Sequence, residues 1–208
     1  MAHLFIISSS ELIGGATMGK ITVTMWLTLD GFAAGPNGEL DWIMGDDEMS
    51  RYELNAVSSR DTLLFGANTY KDFSFYWPHT DSIETAMDWE KQHGRNMTER
   101  RKVVVSNSIE NPEWKNSEVL SELTLQNIQK LKDESNKGIL IYGSIGIVQQ
   151  LINLNLVDRF ELLVHPLALS KGKALFDKLD KPLKLNLIDT TKFQTGVQLQ
   201  VYELSSSK

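Results

Sequence analysis

The sequence predicts an α/β fold of three layers, αβα: a mostly parallel central sheet covered by helices on both faces, with an antiparallel hairpin at its C-terminal edge. Three observations predict it. Short β-branched or apolar runs that stop at Gly or a small polar residue recur along the chain, as strands buried on both faces require. Segments whose apolar residues repeat at helical spacing fall between these runs, the alternation that builds βαβ units. The final stretch instead carries two runs of period-two alternation, 183–188 and 197–204, which mark a hairpin.

Residues 1–17 stand apart. The run Leu4-Phe5-Ile6-Ile7 is too short for a signal-peptide core and follows no basic residue, and Ser8-Ser9-Ser10 with Gly14-Gly15 reads as flexible linker. The expectation is a poorly ordered extension (or a short added edge strand) before a single domain over 18–208. Residues 21–29 are apolar and β-branched enough for a buried strand, with Asp30-Gly31 as its turn and Gly35-Pro36-Asn37-Gly38 as the loop beyond. Asp46 and Asp47 stand where a helix over 48–59 would be capped, with Met49, Tyr52, Ala56 and Val57 on one face. A strand over 61–66 stops at glycine, and 68–73 begins another helix. Residues 78–100 are polar and weakly periodic, an irregular or helical excursion. Arg100-Arg101-Lys102 reads as a solvated turn into a strand over 102–106. Leu125, Ile128 and Leu131 mark an amphipathic helix. A strand over 138–143 runs directly into a helix carrying Ile145, Val148, Leu151 and Ile152, and 160–164 is a further strand.

The totals bound the function. With 208 residues, 41% hydrophobic and 23% charged, the chain has the balance of one sizeable globular domain. A net charge of −6 gives no basic face for a nucleic-acid backbone. The absence of cysteine removes disulfides, thiolate nucleophiles and Cys-ligated metals, and fits a cytoplasmic protein. His3, His79, His93 and His165 form no i,i+4 pair, so no zinc site is expected, and no apolar run reaches the length of a membrane span.

In an open α/β sheet, ligands bind beyond the carboxyl ends of the parallel strands. Three strands end there in small polar residues: Gly66-Ala67-Asn68-Thr69, Ser106-Asn107-Ser108 and Gly143-Ser144-Ile145-Gly146. The glycines of the third let backbone approach a ligand, and the following helix offers free N–H groups to an anion such as pyrophosphate. Glycine at a strand–helix turn also has a purely geometric explanation, so the order of all three segments carries more weight than any one.

The segments LTLDGFAAG (27–35), NGELDW (37–42), DTLLFGANTYKDF (61–73), KVVVSNSI (102–109) and the long run 139–176 together resemble the dihydrofolate-reductase-like superfamily. The closest likeness is to the reductase domain of bacterial riboflavin biosynthesis proteins and its stand-alone relatives. The resemblance implies a nicotinamide dinucleotide, NADPH or NADH, and a small-molecule substrate reduced by hydride transfer. It implies that Gly66, Asn68 and Thr69 face the cofactor phosphates and that Ser106 and Asn107 lie near the adenosine ribose. It further implies that Gly143, Ser144, Ile145 and Gly146 hold the pyrophosphate, and that Trp26, Ala33 and Ala34 flank the nicotinamide under a loop over 30–42. A homodimer is implied as well. Two departures bear on cofactor choice: Ala67 and Asn107 stand where relatives carry arginines suited to a 2′-phosphate, and Lys71, Arg101 or Lys102 are the candidates to compensate.

For the proton, Glu53 falls in the apolar face of helix 48–59. It is either a desolvated acid with a raised pKa or, more commonly for such a position, a rim residue paired with a basic neighbour. Asp30 is a second candidate, for catalysis or substrate contact, and Asp41 a third, although turn chemistry explains both. Trp42, Tyr70 and Trp77, with Phe73, could stack on a flat heterocycle such as a pterin, flavin or pyrimidine, or could simply be core. His165 before Pro166 reads as a strand end or subunit contact. The competing readings are a non-catalytic binding or sequestering protein on the same scaffold and a structural dimerisation module.

Overall fold

A computed structural model describes residues 19–205, so the expectation for residues 1–17 lies outside the described residues. β1 (Ile21–Thr28) runs through the middle of the sheet, between β6 (Ile139–Tyr142) and β7 (Arg159–His165), parallel to both. Its alternation explains that place. Ile21, Val23, Met25 and Leu27 enter one apolar core, while Thr22, Thr24 and Thr28 are buried on the opposite face. β3 (Thr62–Gly66), β4 (Arg101–Val105) and β5 (Ser117–Leu120) extend the parallel sheet beyond β6. On the other side β10 (Gln198–Leu204) pairs antiparallel with β7 and with the outermost β9 (Leu185–Lys192). The eight strands lie in the order β5-β4-β3-β6-β1-β7-β10-β9. A separate two-stranded sheet joins β2 (Phe32–Ala34) to β8 (Lys173–Ala174).

Helices cover both faces. α4 (Leu125–Glu134) and α5 (Ile145–Asn153) pack Ile128, Leu131, Val148 and Leu151 against the core under β1 and β6. On the other face lie α1 (Asp47–Ser58), α2 (Ala67–Tyr76) and α3 (Asp88–Glu99), contributing Val57, Tyr70 and Met97. Asp46 caps α1 by accepting the Met49 N–H at 2.9 Å, and its other oxygen accepts the Thr195 N–H at 3.0 Å.

The structure resolves one open expectation, adds an element and corrects a third reading. The excursion at 78–100 is helical: a 3₁₀ turn over Trp77–Ser82 and then α3, whose His93, Gly94 and Met97 are buried although the segment is polar overall. β5 is a strand with little apolar sequence, half-exposed at the sheet edge, where pairing rather than hydrophobicity holds it. Lys102 is no solvated turn residue but the second residue of β4, with 0% exposure. Its Nζ donates to the carbonyls of Met97, Thr98 and Arg100 at 2.8, 2.9 and 2.8 Å and lies over the Trp114 ring. It thereby satisfies the carbonyls that the end of α3 leaves free.

Candidate functional site

The carboxyl ends of β1, β3, β4 and β6 open on one cleft of about 500 Å³, and α2 and α5 start from its floor. The strand-to-helix turn after β6 is its most constrained part. Gly143 and Ser144 are both left-handed, at φ 73° and 61°, and α5 begins at Ile145. Glycine is favoured at 143, because its left-handed φ strains any other residue and a Cβ there would press on the Thr69 methyl at 3.3 Å. At 144 a serine accepts a conformation costing about 1–2 kcal/mol. In return its Oγ accepts the Gly66 N–H at 3.0 Å, tying the start of α2 to the start of α5. Two consecutive left-handed residues before a helix turn the orphan first-turn N–H groups toward the cleft, an arrangement suited to an anion.

Of the residues singled out from sequence, Trp26, Ala33, Ala34, Gly66, Asn68, Thr69, Gly143, Ser144, Ile145 and Gly146 all line this cleft. Ser106 and Asn107 lie just past its wall, which Val105 forms. The Ser106 hydroxyl accepts the N–H groups of Ser108 and Ile109, both at 3.0 Å, and shapes the turn after β4. Trp42, Tyr70 and Trp77 are placed elsewhere. Trp42 packs edge-on against His165 at 5.1 Å, the Tyr70 hydroxyl accepts the Trp114 N–H at 3.1 Å within the core, and Trp77 lies on His93 at 4.6 Å. Asp30 is a clasp: it accepts from the Thr28 hydroxyl at 2.6 Å and from the Leu169 and Ser170 N–H groups at 3.2 and 2.8 Å. The Thr28 bond above all holds its carboxyl below the usual range. Of the compensating cations, Lys102 is buried and Arg101 is engaged with Glu118 and Glu134. His165 is fully buried at the end of β7, its ring nitrogens against the carbonyls of Leu163 and Met44.

Glu53 is not the rim residue that an ion pair would make it. It is 3% exposed and receives the Trp26 indole N–H at 2.7 Å, with the Tyr142 hydroxyl directed at the same carboxyl. Burial pushes its pKa up to about 7, and these two donors only partly oppose that. The basic partners went instead to Glu161, which takes Arg60, Arg159 and the Tyr52 hydroxyl. Trp26 and Tyr142 both line the cleft, so Glu53 sits immediately behind its inner wall. His93 is buried beside the Tyr142 ring, with centroids 5.9 Å apart, and neither of its ring nitrogens has a hydrogen-bond partner among the described residues.

The sequence reading missed Thr24, Asp72, Tyr142, Gln150 and Lys173 as cleft residues. Thr24 was findable by strand parity, two residues before Trp26. Asp72 and Gln150 were findable by helical spacing, each four residues beyond an identified contact. Lys173 had no local signal, because β8 is brought back to the cleft by tertiary contacts. Among the described residues no three His, Asp or Glu side chains converge to hold a metal ion, and no helix is long and apolar enough to cross a membrane.

This sheet order, with the cleft at its carboxyl edge, is the dihydrofolate-reductase-like fold. Dihydrofolate reductase from Enterococcus faecalis, solved in complex with NADP(H), superposes with a TM-score of 0.60 at 13% identity, over 91% of this chain and 98% of that one. A pyrimidine reductase-like protein from Corynebacterium diphtheriae superposes at 0.62 with 14% identity, over 97% and 100% of the two chains. Residues 19–199 match the RibD C-terminal domain, and the chain belongs to that family. The Bacillus subtilis (strain 168) protein YyaP, uncharacterized, is 33% identical over 188 residues, 88% of this chain and 94% of its own length.

Proposed function

We propose that this chain is an NAD(P)H-dependent reductase of a small heteroaromatic or carbonyl compound. The observation that carries the reading is the left-handed Gly143-Ser144 turn, which opens α5 into a cleft flanked by the start of α2. A dinucleotide laid across the parallel strand ends would set its pyrophosphate on the N–H groups of Ile145 and Gly146. Its remaining phosphate contacts would come from Asn68 and Thr69, and Trp26, Ala33 and Ala34 would border the nicotinamide. The nicotinamide supplies the hydride; the protein orients the acceptor and provides a proton. Glu53 is the proton reserve: as the carboxylic acid it protonates Tyr142 while Tyr142 gives its hydroxyl proton to the heteroatom next to the reduced carbon, and solvent later restores Glu53. The NADP(H) complex of the E. faecalis enzyme and the name of the C. diphtheriae protein support the cofactor and a pyrimidine-like substrate.

NADH should bind at least as well as NADPH, because Ala67 and Asn107 offer no guanidinium to a 2′-phosphate. The reading includes a homodimer paired along the outer edge, where Leu187 and Ile188 of β9 are exposed; a monomer by light scattering at micromolar concentration removes that part. The test of the function is a titration with each dinucleotide, following quenching of the cleft-wall Trp26 and repeated by calorimetry. Saturable binding of either is expected. No binding of either overturns the reductase reading in favour of a sequestering protein on the same scaffold.

A further inference from the structure

The cleft has two unlike walls. On the α2 side Ala67 brings no charge and Asp72, further along the helix, adds a negative one. On the opposite side Lys173 of β8 reaches the cleft beside Gly38. Among the described lining residues it is the only cation, and Asp72 the only anion.

The placement of Lys173 is built. Gln149 of α5 is buried and its amide donates to the carbonyls of Ala174 and Leu175, at 3.1 and 3.2 Å, and to Asp177 at 2.7 Å. These bonds fix β8 against the first half of α5, the helix whose N-terminus forms the anion turn. β8 also pairs with β2, where Phe32 faces Ala174 and Ala34 faces Lys173. Gly172 permits that pairing: a Cβ there would overlap the Ala34 carbonyl. The Lys173 ammonium lies 3.4 Å from where a Cβ on Gly38 would stand, at the loop over 35–39 that edges the cleft, and its charge adds to the Asn37 bonds in lowering the Glu39 pKa.

We propose that Lys173 is the cleft's phosphate-charge residue: from the β8 wall it pairs with the pyrophosphate seated on α5, in place of cations on the α2 wall. This rests on the dinucleotide reading above. The consequence for specificity is definite. Pyrophosphate is common to NADH and NADPH, so a cation that reads it strengthens both equally, whereas a residue reading the 2′-phosphate would favour NADPH alone.

The test is calorimetric titration of the full chain and its Lys173→Met variant with NADH and with NADPH, at low and at physiological salt. Met keeps the length of the stem while removing the charge, and Lys173 is exposed, so folding is not at stake. The expected result is a loss of about tenfold in affinity for both dinucleotides, with a weaker salt dependence in the variant. A loss confined to NADPH would assign Lys173 to the 2′-phosphate and overturn the proposal. Unchanged affinity for both, with the native protein still binding, overturns it as well and leaves the cofactor reading standing. If the native protein binds neither dinucleotide, the cofactor reading fails, and this proposal fails with it.

Discussion

Replacing Glu53 by Gln should make the protein more stable, and increasingly so as the pH rises. The carboxyl is almost fully buried with no cationic partner among the described residues, and its pKa in the folded protein is about 7 against an ordinary 4.5. At 1.36 kcal/mol per pH unit that gap is worth about 3 kcal/mol. The direction follows from linkage: a folded-state pKa above the unfolded one leaves stability intact below 4.5 and removes it as the pH climbs through about 7. Gln keeps an acceptor for the Trp26 indole and cannot ionise. Its advantage over the native protein should therefore grow by about 2 kcal/mol between pH 5 and pH 8. Urea unfolding of both proteins across that range reads the effect as a divergence of midpoints. Any constant cost of repacking the amide cancels, because only the slope is used. Parallel stability curves would refute the reasoning, since they would mean that Glu53 titrates alike in the folded and unfolded chains.

His93 should give the opposite slope. Burial lowers its pKa to about 4 from 6.5, so stability present above 6.5 is lost as the pH falls toward 4, and His93→Phe should remove about 2 kcal/mol of the drop between pH 7 and 4.5, seen in urea midpoints. An unchanged drop would mean that His93 takes up its proton alike in the folded and unfolded chains. Gly143→Ala should cost about 1–2 kcal/mol by thermal unfolding, from the left-handed φ and the approach to Thr69, and should abolish dinucleotide binding by calorimetry. Ala67→Arg should raise NADPH affinity over NADH by about tenfold, from one charge-assisted pair with the 2′-phosphate; an equal gain for both would place that side chain at the pyrophosphate instead.

Much of the fold was legible because it is written in local periods. The alternation of β1, the helical spacing after Ile145 and the Asp46 cap each depend on neighbours in sequence. The cleft floor was legible for the same reason: strand ends and helix starts are adjacent in the chain, so Gly66 to Thr69 and Gly143 to Gly146 come as contiguous groups. What failed depends on distant contacts. Trp42, Tyr70 and Trp77 are aromatic and near the cleft in sequence, yet His165, Trp114 and His93 claim their faces. Lys102 looked like part of a basic surface run because its acceptors at the end of α3 come from a segment whose helix was itself ambiguous.

Glu53 shows why the same spacing can support two opposite conclusions. A carboxylate in an apolar helical face usually finds a cation, and two arginines do reach this region of the sheet. Both are taken by Glu161, on β7, which also accepts the Tyr52 hydroxyl at 2.7 Å. With those charges spent on Glu161, Glu53 is left to neutral donors, the Trp26 indole at 2.7 Å and the Tyr142 hydroxyl, which lower its pKa only in part and do not neutralise it. A neutral pair of donors costs the protein stability at high pH and keeps the proton available near pH 7, which is what a buried acid behind the cleft needs if it is to serve the proposed proton transfer. An arginine placed beside Glu53 would stabilise its carboxylate and lower its pKa. The same change would remove the acid, so stability and the proposed proton transfer pull in opposite directions at this one position.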